Sequence, residues 1–345
     1  MLVDLRRLLS TTGFAVALVV LSACGQAEEG EPAQAESSAA AADDDGVVDT
    51  GDELPSSTTT TTEVVTTTTE AATTTVATSI VPVDAPVVAL LDAGAEPRRE
   101  LRFALSDGTE RTVATSTQTI EQLVQGVSLV PPQPIETISN VSVSRTVVEA
   151  GVEVTSEITG AEIGPATDPA LADFIGSNFA ELIGITTTVI VDDRGLVTAA
   201  STDPGADELV VDLLGDSLSQ STPLPAEPVG VGASWVTETS LQDTGVSGVV
   251  RTTWTLSEFT SNGVILDLDV VQEIAEVGAV VDLDGVEATV EEWDVSGSGT
   301  AELDLTQFSA VTSTVTIDGV QRFNFGDDRT VEQRIATETR VETAP

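Results

Sequence analysis

From about residue 81 the chain alternates apolar and polar positions in short runs rich in Val, Ile and Thr. Leu101–Leu105, Val141–Val148, Val152–Ile158, Thr186–Val191, Gly263–Val271 and Thr312–Ile317 all follow this period of two. Side chains on a strand point alternately to opposite faces, so each run predicts a strand with one buried side. Asp107-Gly108, Asn262-Gly263, Asp284-Gly285 and Asp318-Gly319 supply hairpin-type turn dipeptides, and Asp193-Arg194-Gly195 a three-residue turn with Gly in the left-handed position. So many adjacent hairpins predict antiparallel sheet.

Two segments change period. In Asp168–Gly184, Leu171, Phe174, Ile175, Phe179, Leu182 and Ile183 recur at three and four, after an Asp-Pro start suited to a helix cap and first turn. Leu209, Val210, Leu213, Leu214 and Leu218 repeat the pattern in Gly205–Ser219. The expected fold is therefore α+β and mostly antiparallel: a large twisted sheet covered by two amphipathic helices. Residues 98–203 and 223–345 echo each other in strand pattern, which predicts two related halves joined by the stiff Pro223-Leu224-Pro225-Ala226-Glu227-Pro228 connector.

Residues 24–80 break the pattern altogether. Residues 25–80 carry 12 acids and no bases, with unbroken Thr runs at 58–62, 66–69 and 73–75. Such a stretch buries too little apolar area to offset chain entropy, and is expected to form a disordered stalk. As a coil it would span roughly 40 Å, before charge repulsion extends it. Ser/Thr-rich stalks are also O-glycosylation substrates, and an unmodified spacer is the alternative.

Composition narrows the chemistry. Acids number 57 against 13 bases, all Arg, and His, Lys and Tyr are absent. GC-rich coding and a saline milieu each favour that balance. A Ser-His-Asp triad, His-ligated zinc and a Schiff-base lysine are excluded. A net charge of −44 argues against nucleic acid as a partner. Carboxylates remain, and Glu291, Glu292 and Asp294 around Trp293 form the densest set. Adjacent strand residues face opposite ways, so Glu291 and Glu292 are not expected to converge. Asp282-x-Asp284-Gly285-x-Glu287 imitates the start of a calcium loop but lacks the later ligands, and suits a hairpin turn better. No enzyme activity, cofactor or metal is expected.

The amino terminus carries the most specific motif. Arg6 and Arg7 precede the apolar stretch Phe14–Leu21, too short to span a bilayer as an ordinary helix. It ends in Leu21-Ser22-Ala23-Cys24, which resembles the lipobox of bacterial lipoproteins. The resemblance implies a signal peptide at 1–23, cleavage between Ala23 and Cys24, and a diacylglyceryl thioether on Cys24. It also implies a mature protein anchored to the cell membrane and facing its extracytoplasmic side. Cys24 is the only cysteine, so the mature chain would have no free thiol.

The architecture expected for 98–343 resembles the half-barrel of lipoprotein carriers and lipid-transfer lipoproteins, and residues 223–235 resemble a segment of uncharacterised bacterial lipoproteins. The carrier resemblance implies a hydrophobic or amphipathic ligand between sheet and helices, with Leu171, Phe174, Ile175, Phe179, Leu213 and Leu214 lining a cavity. The alternative is a stalked module that binds an envelope protein or the cell wall, and a carboxylate hydrolase ranks last.

Overall fold

Strand β15 (Thr330–Ala344) shows how the sequence builds the sheet: Gln333, Ile335, Thr337, Thr339 and Val341 are buried, while Arg334, Ala336 and Arg340 between them are exposed. A Thr, Gln or Val at alternate positions is enough to give the strand one buried side, so strands run longer than their apolar residues alone mark out. The computed structural model describes residues 81–82, 86–128, 132–202, 222–243, 246–283, 286–326 and 329–344. The signal peptide, Ala23, Cys24, the stalk and the expected helix Gly205–Ser219, with Leu213 and Leu214, lie outside the described residues.

The first strands are β1 (Val81–Pro82), β2 (Val87–Asp92), β3 (Gly108–Val124), β4 (Val127–Ser128), β5 (Gln133–Val148) and β6 (Gly151–Ile163). Helix α1 (Pro169–Ala180) follows, then β7 (Thr186–Val191) and β8 (Val197–Thr202). The rest are β9 (Ser234–Asp243), β10 (Val246–Phe259), β11 (Gly263–Ile274), β12 (Val280–Leu283), β13 (Val286–Asp304), β14 (Thr312–Asn324) and β15. One open, antiparallel sheet joins them in the order β1, β8, β7, β6, β5, β3, β15, β14, β13, β11, β10, β9, β2; β4 and β12 pair off this path with β3 and β13. The ladder between residues 111–124 of β3 and 331–344 of β15 joins the two segments 98–203 and 223–345 into this single sheet.

The core divides by position along the sheet. Trp235, Trp254, Leu256, Leu266 and Leu268 of β9–β11 pack with Leu101, Phe103 and Leu224 from irregular segments. Val143, Val154, Ile158 and Val189 of β5–β7 pack with Phe179, Leu182 and Phe308. A smaller cluster joins Val281, Ala288, Val290 and Phe323.

Three expectations need correction. Among the described residues one helix covers the sheet, not two; α1 is capped as predicted, Asp168 Oδ1 accepting the Ala170 N–H at 2.9 Å, but it ends at Ala180. Leu101–Leu105 is not a strand. Its backbone spends its donors on other loops, Phe103 N–H on Asp193 O and Ala104 N–H on Leu305 O, each at 2.7 Å. Leu101 and Phe103 thereby cap the β9–β11 core, a task expected of a helix. Asp318-Gly319 is not a turn but the middle of β14. Gly319 is there because a Cβ would stand 2.7 Å from Val295 Cγ2 on the neighbouring strand. The Asp193-Arg194-Gly195 turn forms as predicted, with Gly195 at φ +76°.

Candidate functional site

The register lays the buried face out in rows. One crosses Gln118 (β3), Thr337 (β15), Ile317 (β14), Gly297 (β13), Val270 (β11) and Thr252 (β10). The next crosses Ile120, Ile335, Gly319, Val295, Gln272 and Val250. A third holds Gln122, Gln333, Gln321 and Trp293. Apolar residues of the β9–β11 core thus grade into a seam of amides and hydroxyls along β3, β15 and β14.

Part of this seam is satisfied internally. Thr112 and Thr343 share a hydroxyl hydrogen bond at 3.0 Å, and Ser116 and Thr339 another at 3.2 Å. The rows above differ. Among the described residues, Gln118 Nε2, Thr337 Oγ1, both amide atoms of Gln272, Gln321 Nε2 and Trp293 Nε1 are buried without a hydrogen-bond partner. Their residues are deep: Gln118 is 5% exposed, Gln272 4%, Gln321 2% and Thr337 2%. Each such atom costs about 1–3 kcal/mol when it has nothing to bond. Buried polar groups are nearly always paired with protein or ordered water, so several in one region call for partners, water or ligand, from outside the chain.

No charged residue stands in these three rows. The inward-facing pair of Glu110 on β3 and Arg145 on β5 lies toward the other end of these strands, Glu110 being eight residues or about 27 Å from Gln118. There Glu110 accepts the Ser309 N–H at 2.9 Å and Arg145 donates to Thr306 O at 2.6 Å, fastening the β13–β14 connector.

Charge is collected on the outer face. Arg251 on β10 bridges Glu238 on β9 at 2.8 Å and Glu273 on β11 at 2.6 Å. Arg322 bonds Glu292 at 2.6 Å and Glu332 at 2.8 Å, and Arg334 also reaches Glu332 at 2.8 Å. The Arg322 hydrogen bond, aided by Arg334, holds the Glu332 carboxyl below the usual range against the opposing effect of burial. A β-bulge between Val290 and Glu292 changes the expected Glu291–Glu292 geometry: Glu291 accepts from Asn324 at 2.7 Å while its neighbour takes Arg322, so both engage consecutive polar positions of β14 and its end. Each carboxylate is committed to a partner. Two shallow outer grooves, of about 390 and 460 Å³, lie over Thr115, Thr117 and Glu338, and over Asp294, Asp318 and Arg334.

Of the residues predicted to line a cavity, Leu171, Phe174, Ile175 and Phe179 all fall on α1, which packs on β6. Phe179 is buried in the β5–β7 core, and Leu171 and Ile175 are half-buried. The polar seam was missed. Its sequence signal is that β15 places every charge between Arg334 and Arg340 on even positions and none on Gln333, Ile335, Thr337 or Thr339.

Among the described residues no His, Cys, Asp or Glu gather in a group able to hold a metal ion, and no helix is long and apolar enough to cross a membrane. No family model matches the chain, and no curated protein matches it either.

Proposed function

We propose that the chain is a bacterial envelope lipoprotein, anchored through diacylglyceryl on Cys24, whose β-rich region binds an amphipathic ligand on the buried face of its sheet without catalysing a reaction. The observation that carries the ligand is the set of unpartnered buried polar atoms on Gln118, Thr337, Gln272 and Gln321, set among apolar Ile317, Ile335, Val270 and Val295. Apolar surroundings with a few convergent polar groups are what a site for an amphiphile requires. The open sheet supports the same reading, since its edges β1 and β2 are not joined and access breaks no ladder. The lipobox Leu21-Ser22-Ala23-Cys24 supports the anchor, and the Thr-rich stretch to residue 80 supports a stalk.

A second reading, a surface module for an envelope protein, has one observation in its favour. Strand β2, at the end of the sheet among the described residues, exposes Val87 and Leu91, each 62% accessible, where a partner's strand could pair.

Detergent phase partition of the full chain expressed in a bacterial host tests the anchor. Wild type should enter the detergent phase and incorporate labelled fatty acid, and Cys24→Ser should do neither. Equal labelling of both would overturn the lipid anchor.

A further inference from the structure

The structure also bears on what kind of ligand the buried face accepts, an inference that rests on the binding function just proposed. We infer that the ligand's polar part is an uncharged group bearing several oxygens, of the hydroxyl and ester type found in acylglycerols. Three properties of the seam lead there.

The first is the balance of donors and acceptors. Gln118 Nε2, Gln272 Nε2, Gln321 Nε2 and Trp293 Nε1 are donors, against one amide oxygen, Gln272 Oε1, and the Thr337 hydroxyl, which serves either way. Rotating an amide exchanges its donor and acceptor ends but leaves the group neutral and bifunctional. Oxygens that accept, with some hydroxyls that donate, complement this set.

The second is charge. A carboxylate or phosphate taken from water needs a cation beside it, and none of the three rows contains Arg. The inward Arg145, opposite Gly108 on β3, stands ten residues or about 33 Å along from Gln118 and is itself bonded to Thr306. A ligand cation would need an acid, and the rows contain none. The chain's −44 charge adds a further penalty for anions.

The third is extent. From strand spacing and rise, Thr337, Gln321 and Gln272 stand about 12–16 Å apart at their Cα atoms. Gln side chains narrow that span, but one hydroxyl cannot reach all of them. Several oxygens distributed over a head group can. Ile317, Ile335 and Val295 between them supply the contact for the adjoining hydrocarbon.

The test uses the full chain and four probes: monopalmitoylglycerol, palmitate, hexadecyltrimethylammonium and the uncharged apolar dye N-phenyl-1-naphthylamine. Monopalmitoylglycerol should bind about tenfold or more tighter than either ion, one unsatisfied polar group being worth about that factor. Gln118→Leu with Gln321→Leu should remove the preference for monopalmitoylglycerol over the two ions. Thr337→Val, which keeps the side-chain shape, should narrow the gap between monopalmitoylglycerol and the two ions and serves if the double variant misfolds. Dye binding with no preference among the head groups, or a preference that survives the variants, overturns this inference and leaves the binding function standing. Failure of all four probes to bind overturns the binding function itself.

Discussion

Glu110 on β3 accepts the backbone N–H of Ser309 at 2.9 Å, a contact 199 positions apart in the chain, and Arg145 stands 4.0 Å from its second oxygen. The carboxylate has no exposed surface and Arg145 is nearly as deep. Removing one member of a buried pair leaves the other uncompensated. Glu110→Ala should therefore destabilise the sheet by about 3–5 kcal/mol in denaturant unfolding. Glu110→Gln, which keeps an acceptor for Ser309, should cost less. Equal stability for all three proteins would show that the pair does not fasten the connector.

Trp235, wholly buried, donates its indole N–H to Pro223 O at 2.9 Å. Trp235→Phe keeps most of the ring but orphans that carbonyl, so a loss of about 1–3 kcal/mol is expected from the hydrogen bond alone. Thermal melts of the two proteins check it, and an unchanged midpoint would refute it.

A Cβ on Gly297 would stand 2.4 Å from the backbone oxygen of Thr316, which has no freedom to move aside. Gly297→Ala should cost about 1–3 kcal/mol through the forced shift between β13 and β14. Slowed folding without loss of equilibrium stability would contradict this account of the close approach.

Glu332 is bound by Arg322 and Arg334, which lower its folded pKa relative to the unfolded chain. A depressed carboxyl contributes stability above its unfolded pKa of about 4.3, and that contribution is lost as pH falls through the lower folded value. The stability difference between wild type and Glu332→Gln should thus be largest near neutrality and shrink below pH of about 4. Denaturant titrations at a series of pH values measure it, and a constant difference would contradict the assignment.

With 57 acids against 13 bases, most carboxylates cannot have a cationic partner. Self-repulsion should therefore outweigh the loss of the Arg pairs on adding salt, and the melting midpoint should rise between about 0.05 and 0.5 M NaCl. A falling midpoint would mean that the Arg251, Arg322 and Arg334 networks dominate.

Antiparallel sheet was legible in the sequence because strands such as β11 alternate, with Leu266, Leu268 and Val270 set between Asp267 and Asp269 in a simple period of two. The middle of the sheet was harder to see. On β3 and β15 many of the buried positions are polar, Ser116, Gln118, Thr337 and Thr339 among them, so burial there depends on the neighbouring strands. Asp318-Gly319 has the composition of a turn, and only its register against Val295 and Ser296 and against Ile335 and Ala336 makes it strand. The candidate site was hidden for the same reason. Gln118, Gln272 and Gln321 are unrelated in sequence, and pairing across β3, β15, β14, β13 and β11 is what brings them together.

If the buried face holds an amphiphile, native mass spectrometry of the full chain purified from a lipid-containing bacterial host should detect it. The expected result is a lipid-sized adduct beyond the mass of the anchor, extractable into organic solvent, electrically neutral, and diminished in Gln118→Leu/Gln321→Leu. A mass equal to the acylated chain alone, under conditions that retain lipid on a control carrier, would contradict it.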